Sequence, residues 1–105
     1  MGEDPHHRIP AAREFDGGSF RISYEWKEIV VYWEGDQGFE FDAAWGVAPG
    51  VLYVPDATHW DGVVPQWLVG RRDEVVGRLL QNSGHAIRDT DVGYRESNSS
   101  RLRSR

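Results

Sequence analysis

Apolar and polar residues alternate with a period of two from position 20, where Phe20, Ile22, Tyr24 and Trp26 are interleaved with Arg21, Ser23 and Glu25. Side chains on a strand point to opposite faces in turn, so this pattern predicts a strand with one dry and one wet face. After a reversal at Lys27-Glu28, the run Ile29 to Trp33 is apolar at every position, which suits a central strand covered on both faces. Gly35 and Gly38 then mark a hairpin connection, because glycine takes positive φ without steric cost. Alternation resumes with Phe39, Phe41, Ala43 and Trp45 against Glu40, Asp42 and Ala44, a third strand of one antiparallel meander. Pro49-Gly50 turns the chain into Val51 to Val54, closed by Pro55, and this short run is expected at a sheet edge.

Beyond a loop from Asp56 to Pro65 the period changes. Leu68, Arg72, Val75, Val76, Leu79 and Leu80 share one stripe of a helix expected over about 65–83, with Pro65 in its first turn where a missing N–H costs nothing. Gly70 can divide this stretch into a short turn and a main segment, and Ser83-Gly84 is a stop with glycine placed for the left-handed conformation. His85 to Thr90 reads as a final strand. The order predicts an α+β domain: an antiparallel sheet of about five strands (β-β-β-β-α-β) with one helix packed on one face. Residues 1–16 read as a flexible leader, 17–94 as the single folded domain and 95–105 as a disordered basic tail, since the ends offer little apolar surface to bury.

Composition narrows the chemistry. A chain of 105 residues is expected to form one domain with one modest core. The absence of cysteine excludes a disulfide framework, a thiolate zinc site, a thiol nucleophile and an iron–sulfur cluster. No apolar run approaches the roughly 20 residues of a membrane span, and the first residues lack the apolar stretch of a signal peptide, so a cytoplasmic location is the expectation. Eleven of the twelve cations are arginine, as in bacterial-like sequences from GC-rich genomes.

Charge is divided unevenly along the chain. From Glu14 to Asp61, ten carboxylates face only Arg21 and Lys27, a balance of −8. From Arg71 to Arg105 eight arginines face five carboxylates, a balance of +3, and with a neutral start the chain carries −5. Such polarity bears on partners rather than on fold.

Candidate chemistry is sparse. His59, Asp61 and Asp56 offer one nitrogen and two carboxylates, short of the three or four ligands a metal site needs, and Asp61 has a competing structural use at a helix start. Asp89-Thr90-Asp91-Val92-Gly93 begins like a calcium loop, but glycine stands where a third oxygen is needed and no bidentate glutamate follows. No serine lies in a nucleophile elbow and no glycine-rich loop carries a phosphate-binding lysine. Glu40 and Asp42 are the carboxylate pair on the wet strand face that could serve acid–base work, although alternating exposed carboxylates are normally solvated. Trp60, between His59 and Asp61 in a loop without apolar periodicity, reads as a contact anchor or as a lid folded over the helix start. Helix and tail arginines could touch phosphates, but Asp73, Glu74 and the acidic half oppose a polyanion, so nucleic acid is disfavoured and the tail is left to bind acidic surfaces weakly.

These features favour a small acidic protein-binding module whose expected partner is another protein with a basic surface. An inhibitor or immunity-type protein, presenting carboxylates where phosphates would lie on a nucleic-acid-cutting toxin, is one concrete form. The binding residues would be Trp45, Tyr53, His59, Trp60, Asp61, Glu40 and Asp42. The alternative is a small-molecule binding or enzymatic domain using a His59/Trp60/Asp61 pocket between sheet and helix, with Trp45, Tyr53 and His85 beside it. No cofactor and no membrane contact are indicated, and two copies could pair through the Val51 to Val54 edge into a homodimer.

Overall fold

A computed structural model of the chain describes residues 13–26, 28–44, 50–90, 94 and 99–105. Among the described residues seven strands and two α-helices follow in the order β1 (Arg13–Asp16), β2 (Arg21–Trp26), β3 (Ile29–Glu34), β4 (Gln37–Ala44), β5 (Val51–Pro55), α1 (Trp60–Val63), α2 (Arg72–Asn82), β6 (Ala86–Thr90) and β7 (Leu102–Ser104). Short 3-10 turns at Gln66–Leu68 and Ser99–Arg101 precede α2 and β7.

All the strands join one sheet, ordered β1-β2-β3-β4-β5-β6, with β7 also on β4. The meander forms because its turns are local: Gly35 takes φ +61° between β3 and β4, a conformation that side chains with a Cβ resist. Register then sorts the faces. Ile22, Tyr24, Val30, Tyr32, Phe39, Phe41, Leu52 and Val54 lie together in the core under Trp60, Leu68, Val75 and Leu79 from the helical layer. The burial alternation of β4 and the two-sided burial of Val30, Val31, Tyr32 and Trp33 in β3 match the sequence expectation, whereas in β2 Ser23 on the expected wet face is buried along with Ile22 and Tyr24.

The mixed α+β class holds, and the sheet within it is larger and not wholly antiparallel. β6 runs parallel to β5, with Val51 opposite Ala86 and Pro55 opposite Thr90. The cause is the crossover between them: a chain that leaves the end of β5, crosses one face through α1 and α2 and returns from the start reaches the sheet in the same direction. β5 is consequently an interior strand, antiparallel to β4 and parallel to β6, and the edge expected at Val51 to Val54 for a homodimer is occupied.

The chain folds beyond the expected limits of 17–94. Arg13–Asp16, assigned to the leader, pairs with Arg21–Tyr24 as β1. Leu102–Ser104, assigned to the tail, pairs with Gln37–Phe39 as β7. The rest of the leader, residues 1–12, and residues 95–98 lie outside the described residues, as does Trp45. The expected helix over 65–83 is divided at Gly70, whose φ of +77° ends the first turn before α2 begins at Arg72. Gly84, at φ +79°, closes α2 in the expected way.

Gly38 is set by a close approach. A Cβ there would meet the Trp33 ring at 2.7 Å, and the ring is held because it is 3% exposed and its Nε1 donates to the Ser23 hydroxyl at 2.9 Å. Gly38→Ala is therefore expected to lower the unfolding free energy by about 1–2 kcal/mol, as overpacking does. Urea denaturation checks this, and a variant as stable as the wild type would show that the ring can give way.

Candidate functional site

Residues that pair across the sheet share a face, so the register defines the surface turned away from the helices. Glu14 opposite Ser23, Val31 opposite Glu40 and Asp42 opposite Tyr53 place Glu14, Ser23, Val31, Glu40, Asp42 and Tyr53 on that outer face. Trp33 joins them through its pairing with Arg21 and Gly38. Glu14, Glu40 and Asp42 on this face, with Glu25 beside them, are each within 4 Å of an arginine, Glu14 with Arg21 at 2.8 Å.

The chain's own basic segment lies on these carboxylates. β5 pairs with β4 only over Asp42–Ala44, leaving the edge at Gln37–Phe39 for β7. Arg101 sends Nη1 and Nη2 to the two Asp42 carboxylate oxygens at 2.9 and 3.0 Å and lies 4.0 Å from the Tyr94 ring centre. Arg103 donates to the Glu40 carboxylate and approaches Glu25 at 3.8 Å. Arg105 lies 4.1 Å above the Trp33 ring and 3.2 Å from Glu14. Burial opposes charge on Arg101, but the hydrogen bonds to Asp42 and the surrounding anions outweigh it and push its pKa above the usual arginine value. Partly exposed pairs of this kind contribute roughly 0.2–1 kcal/mol each, so docking of the segment is held by their sum and by the short ladder.

Tyr94 closes the junction where β5 gives way to β7. Its hydroxyl donates to the Tyr53 carbonyl at 2.7 Å and accepts the Asp42 N–H at 2.8 Å, and the ring packs against Phe39 and Phe41. Burial is the main reason its hydroxyl titrates far above an ordinary tyrosine.

A second polar cluster joins the β3 end to α2. Arg71 grips both oxygens of Glu34 at 2.8 and 2.6 Å, while Tyr32 donates to Glu34 at 2.6 Å. Arg78 donates to Tyr32 at 2.7 Å and pairs with Glu74 at 3.0 Å. Burial alone would raise the Glu34 carboxyl, but hydrogen bonds from Arg71 and Tyr32 hold it below the ordinary glutamate value. The cluster ties hairpin to helix, and every charge in it is answered by another.

The expected site residues separate into three groups. Glu40, Asp42 and the half-buried Tyr53 share the outer face as described. His59 and Asp61 lie elsewhere, on the exposed turn into α1: His59 Nδ1 is 2.7 Å from Asp56, whose carboxyl is lowered chiefly by that bond, and Asp61 accepts the Gly70 N–H at 2.8 Å. Trp60 is corrected from loop anchor to core. It is 1% exposed, stacks on Phe41 at 6.0 Å and donates its Nε1 to the Leu68 carbonyl at 2.8 Å. The indole fills the space between sheet and helices, and His59 turns to Asp56 rather than to it.

An open depression of about 410 Å³ does lie where α1 meets the start of α2, touching Trp60, Asp61, Gly70 and Arg72 but none of the other expected residues. His85 is buried between strand and helix end, stacked with Tyr24 and directing Nδ1–H to the Ser83 carbonyl at 3.0 Å. Among the described residues no three histidine, aspartate or glutamate side chains converge to hold a metal ion, and no helix is long and apolar enough to cross a membrane.

The residues missed by sequence reasoning are Arg101, Arg103, Arg105, Trp33, Glu14 and Glu25. The available signal was the spacing of the three arginines, which repeats every second residue as a strand face does. Fold and face together define a small mixed α+β domain whose outer sheet face pairs carboxylates with arginines. Comparison of the chain with family models, curated proteins and solved structures finds no match.

Proposed function

We propose that this protein is a protein-binding module that docks a partner with a basic surface on its outer sheet face, in the manner of an inhibitor or immunity-type protein. One observation carries the reading: the carboxylates of Glu14, Glu40 and Asp42 are already arranged around three arginines. A surface that accommodates guanidinium groups in cis has the charge and spacing to accommodate them from another molecule. Arg21, Arg101, Arg103 and Arg105 balance these carboxylates, so the face attracts a cationic partner when the basic segment is off it, and association then falls with salt.

Affinity purification of the tagged chain from its native cell at low salt tests this. A basic protein should be retained and then released at about 0.5 M NaCl, where the screening length is only roughly 4 Å. Retention of no basic protein, or retention indifferent to salt, would sink the proposal. The small-molecule or enzymatic alternative has less to rest on, because Trp60 occupies the space it requires and His59 points to a different partner, Asp56.

A further inference from the structure

We propose that the outer face reads an extended strand carrying arginines at alternate positions, and that residues 99–105 are a resident stand-in for such a strand, displaced when a partner supplies its own. This rests on the docking role proposed above and specifies what is docked.

The receptor has two components. The β4 edge at Gln37–Phe39 pairs with Leu102–Ser104 through the main chain, a form of recognition open to any extended sequence. Specificity comes from the three guanidinium sites. Asp42 with the Tyr94 ring takes Arg101, Glu40 with Glu25 takes Arg103, and Glu14, which Arg21 also reaches at 2.8 Å, takes Arg105 with the Trp33 ring. Two of the three combine a carboxylate with an aromatic face, which favours a planar, weakly hydrated guanidinium over the compact ammonium of lysine. The three arginines fall at every second residue, Arg103 in β7 and Arg101 and Arg105 in the turn before it and the residue after it, so the sites measure spacing as well as charge.

The resident strand is held in a way that permits exchange. It pairs over three residues, and its single apolar side chain, Leu102, remains 46% exposed. Its most enclosed side chain is Arg101, 13% exposed, whereas Trp33 beneath the segment is 3% exposed. Exchange would present Trp33 and the carboxylates to the incoming strand, and aromatic groups with charge partners are common centres of binding energy. A competitor in the same chain lowers apparent affinity by the fraction of time the site is open.

The test uses fluorescent peptides and full-length protein. Peptide Ser-Ser-Arg-Leu-Arg-Ser-Arg repeats the resident spacing, and Ser-Arg-Arg-Arg-Leu-Ser-Ser has the same composition with the spacing lost. The triple variant Arg101→Ala, Arg103→Ala, Arg105→Ala should bind the first peptide about tenfold more tightly than wild type does, because its own segment no longer competes. The second peptide should bind the variant at least about fivefold more weakly than the first, since it can fill only some of the guanidinium sites at once. Adding Glu40→Gln and Asp42→Asn should abolish the gain.

Arg105→Ala alone, which leaves two guanidiniums in place, should give an intermediate gain and covers the case in which the triple variant does not fold. Equal binding of the two peptides would overturn strand reading while leaving a charged docking face intact. Equal affinity of wild type and variants for the first peptide would overturn displacement. Tail exchange between two copies, seen as a wild-type dimer that the peptide does not dissociate, would also overturn it. Partner capture by the affinity experiment above is read separately, so the docking role and the strand inference can fail independently.

Discussion

Trp60→Ala is expected to lower the unfolding free energy by about 3–5 kcal/mol, the range found for deleting a large buried aromatic. The indole is fully enclosed, stacked on Phe41 and bonded to Leu68, so it joins α1, the following turn and the sheet at one point. Domains of this size are commonly stable by about 5–15 kcal/mol, and the loss would be a large part of that. Trp60→Phe should cost less, about 1–2 kcal/mol, because a ring still packs on Phe41 and the Leu68 carbonyl keeps the Arg71 N–H at 3.1 Å. Urea unfolding followed by circular dichroism checks both. A Trp60→Ala protein within about 1 kcal/mol of wild type would mean that the space collapses without harm.

Glu34→Ala should be the next most damaging change, at about 2–3 kcal/mol, below the usual cost of breaking a fully buried pair. The discount reflects exposure: the Glu34 and Arg71 side chains are 22% and 29% exposed. The loss leaves Arg71 and Arg78 sharing Glu74, and Tyr32 without its acceptor on Glu34. The pH dependence follows from the same geometry. Glu34 titrates lower in the folded chain than its ordinary value of 4.5, so its contribution is complete above pH 4.5 and is lost as pH falls through the folded value. The stability gap between wild type and Glu34→Ala should be constant near neutrality and close on acidification. Burial pushes the Tyr32 hydroxyl up to about 12 from 10, so its contribution is complete below pH 10 and lost as pH rises toward 12. Unfolding measured across pH 2–8 in both proteins checks the acid limb, and a gap that persists at the lowest pH would show that the carboxylate charge is not what matters.

The meander was legible because everything that makes it is local. Alternation in β2 and β4, continuous apolarity in β3 and the glycine at position 35 lie within the segments they shape. The direction of β6 was not written in Ala86–Thr90, since parallel pairing results from the crossover before it. Trp60 misled because one turn of helix has no room for a period, and only the bond to Leu68 reveals its burial. β1 and β7 were hidden for another reason. Their composition is that of unstructured chain, and order comes from partners far along the sequence, such as Glu40 for Arg103. Of the expected binding residues, Glu40 and Asp42 were placed on one face by strand alternation and Tyr53 joins them through pairing across the sheet, while the arginines that complete the face were assigned to a solvated end.

At the border formed by β6, one row of main-chain groups faces outward among the described residues. Such a border is an invitation to indefinite strand addition and hence to insoluble fibres. Here the strand is short and its exposed residues are Arg88 and Asp89, opposite charges on its two faces. Any strand adding itself along that line must bury or match both charges, and one of them, Asp89, is already held by Arg72 of α2, so the ion pair that ties β6 to the helix also stands guard at its border.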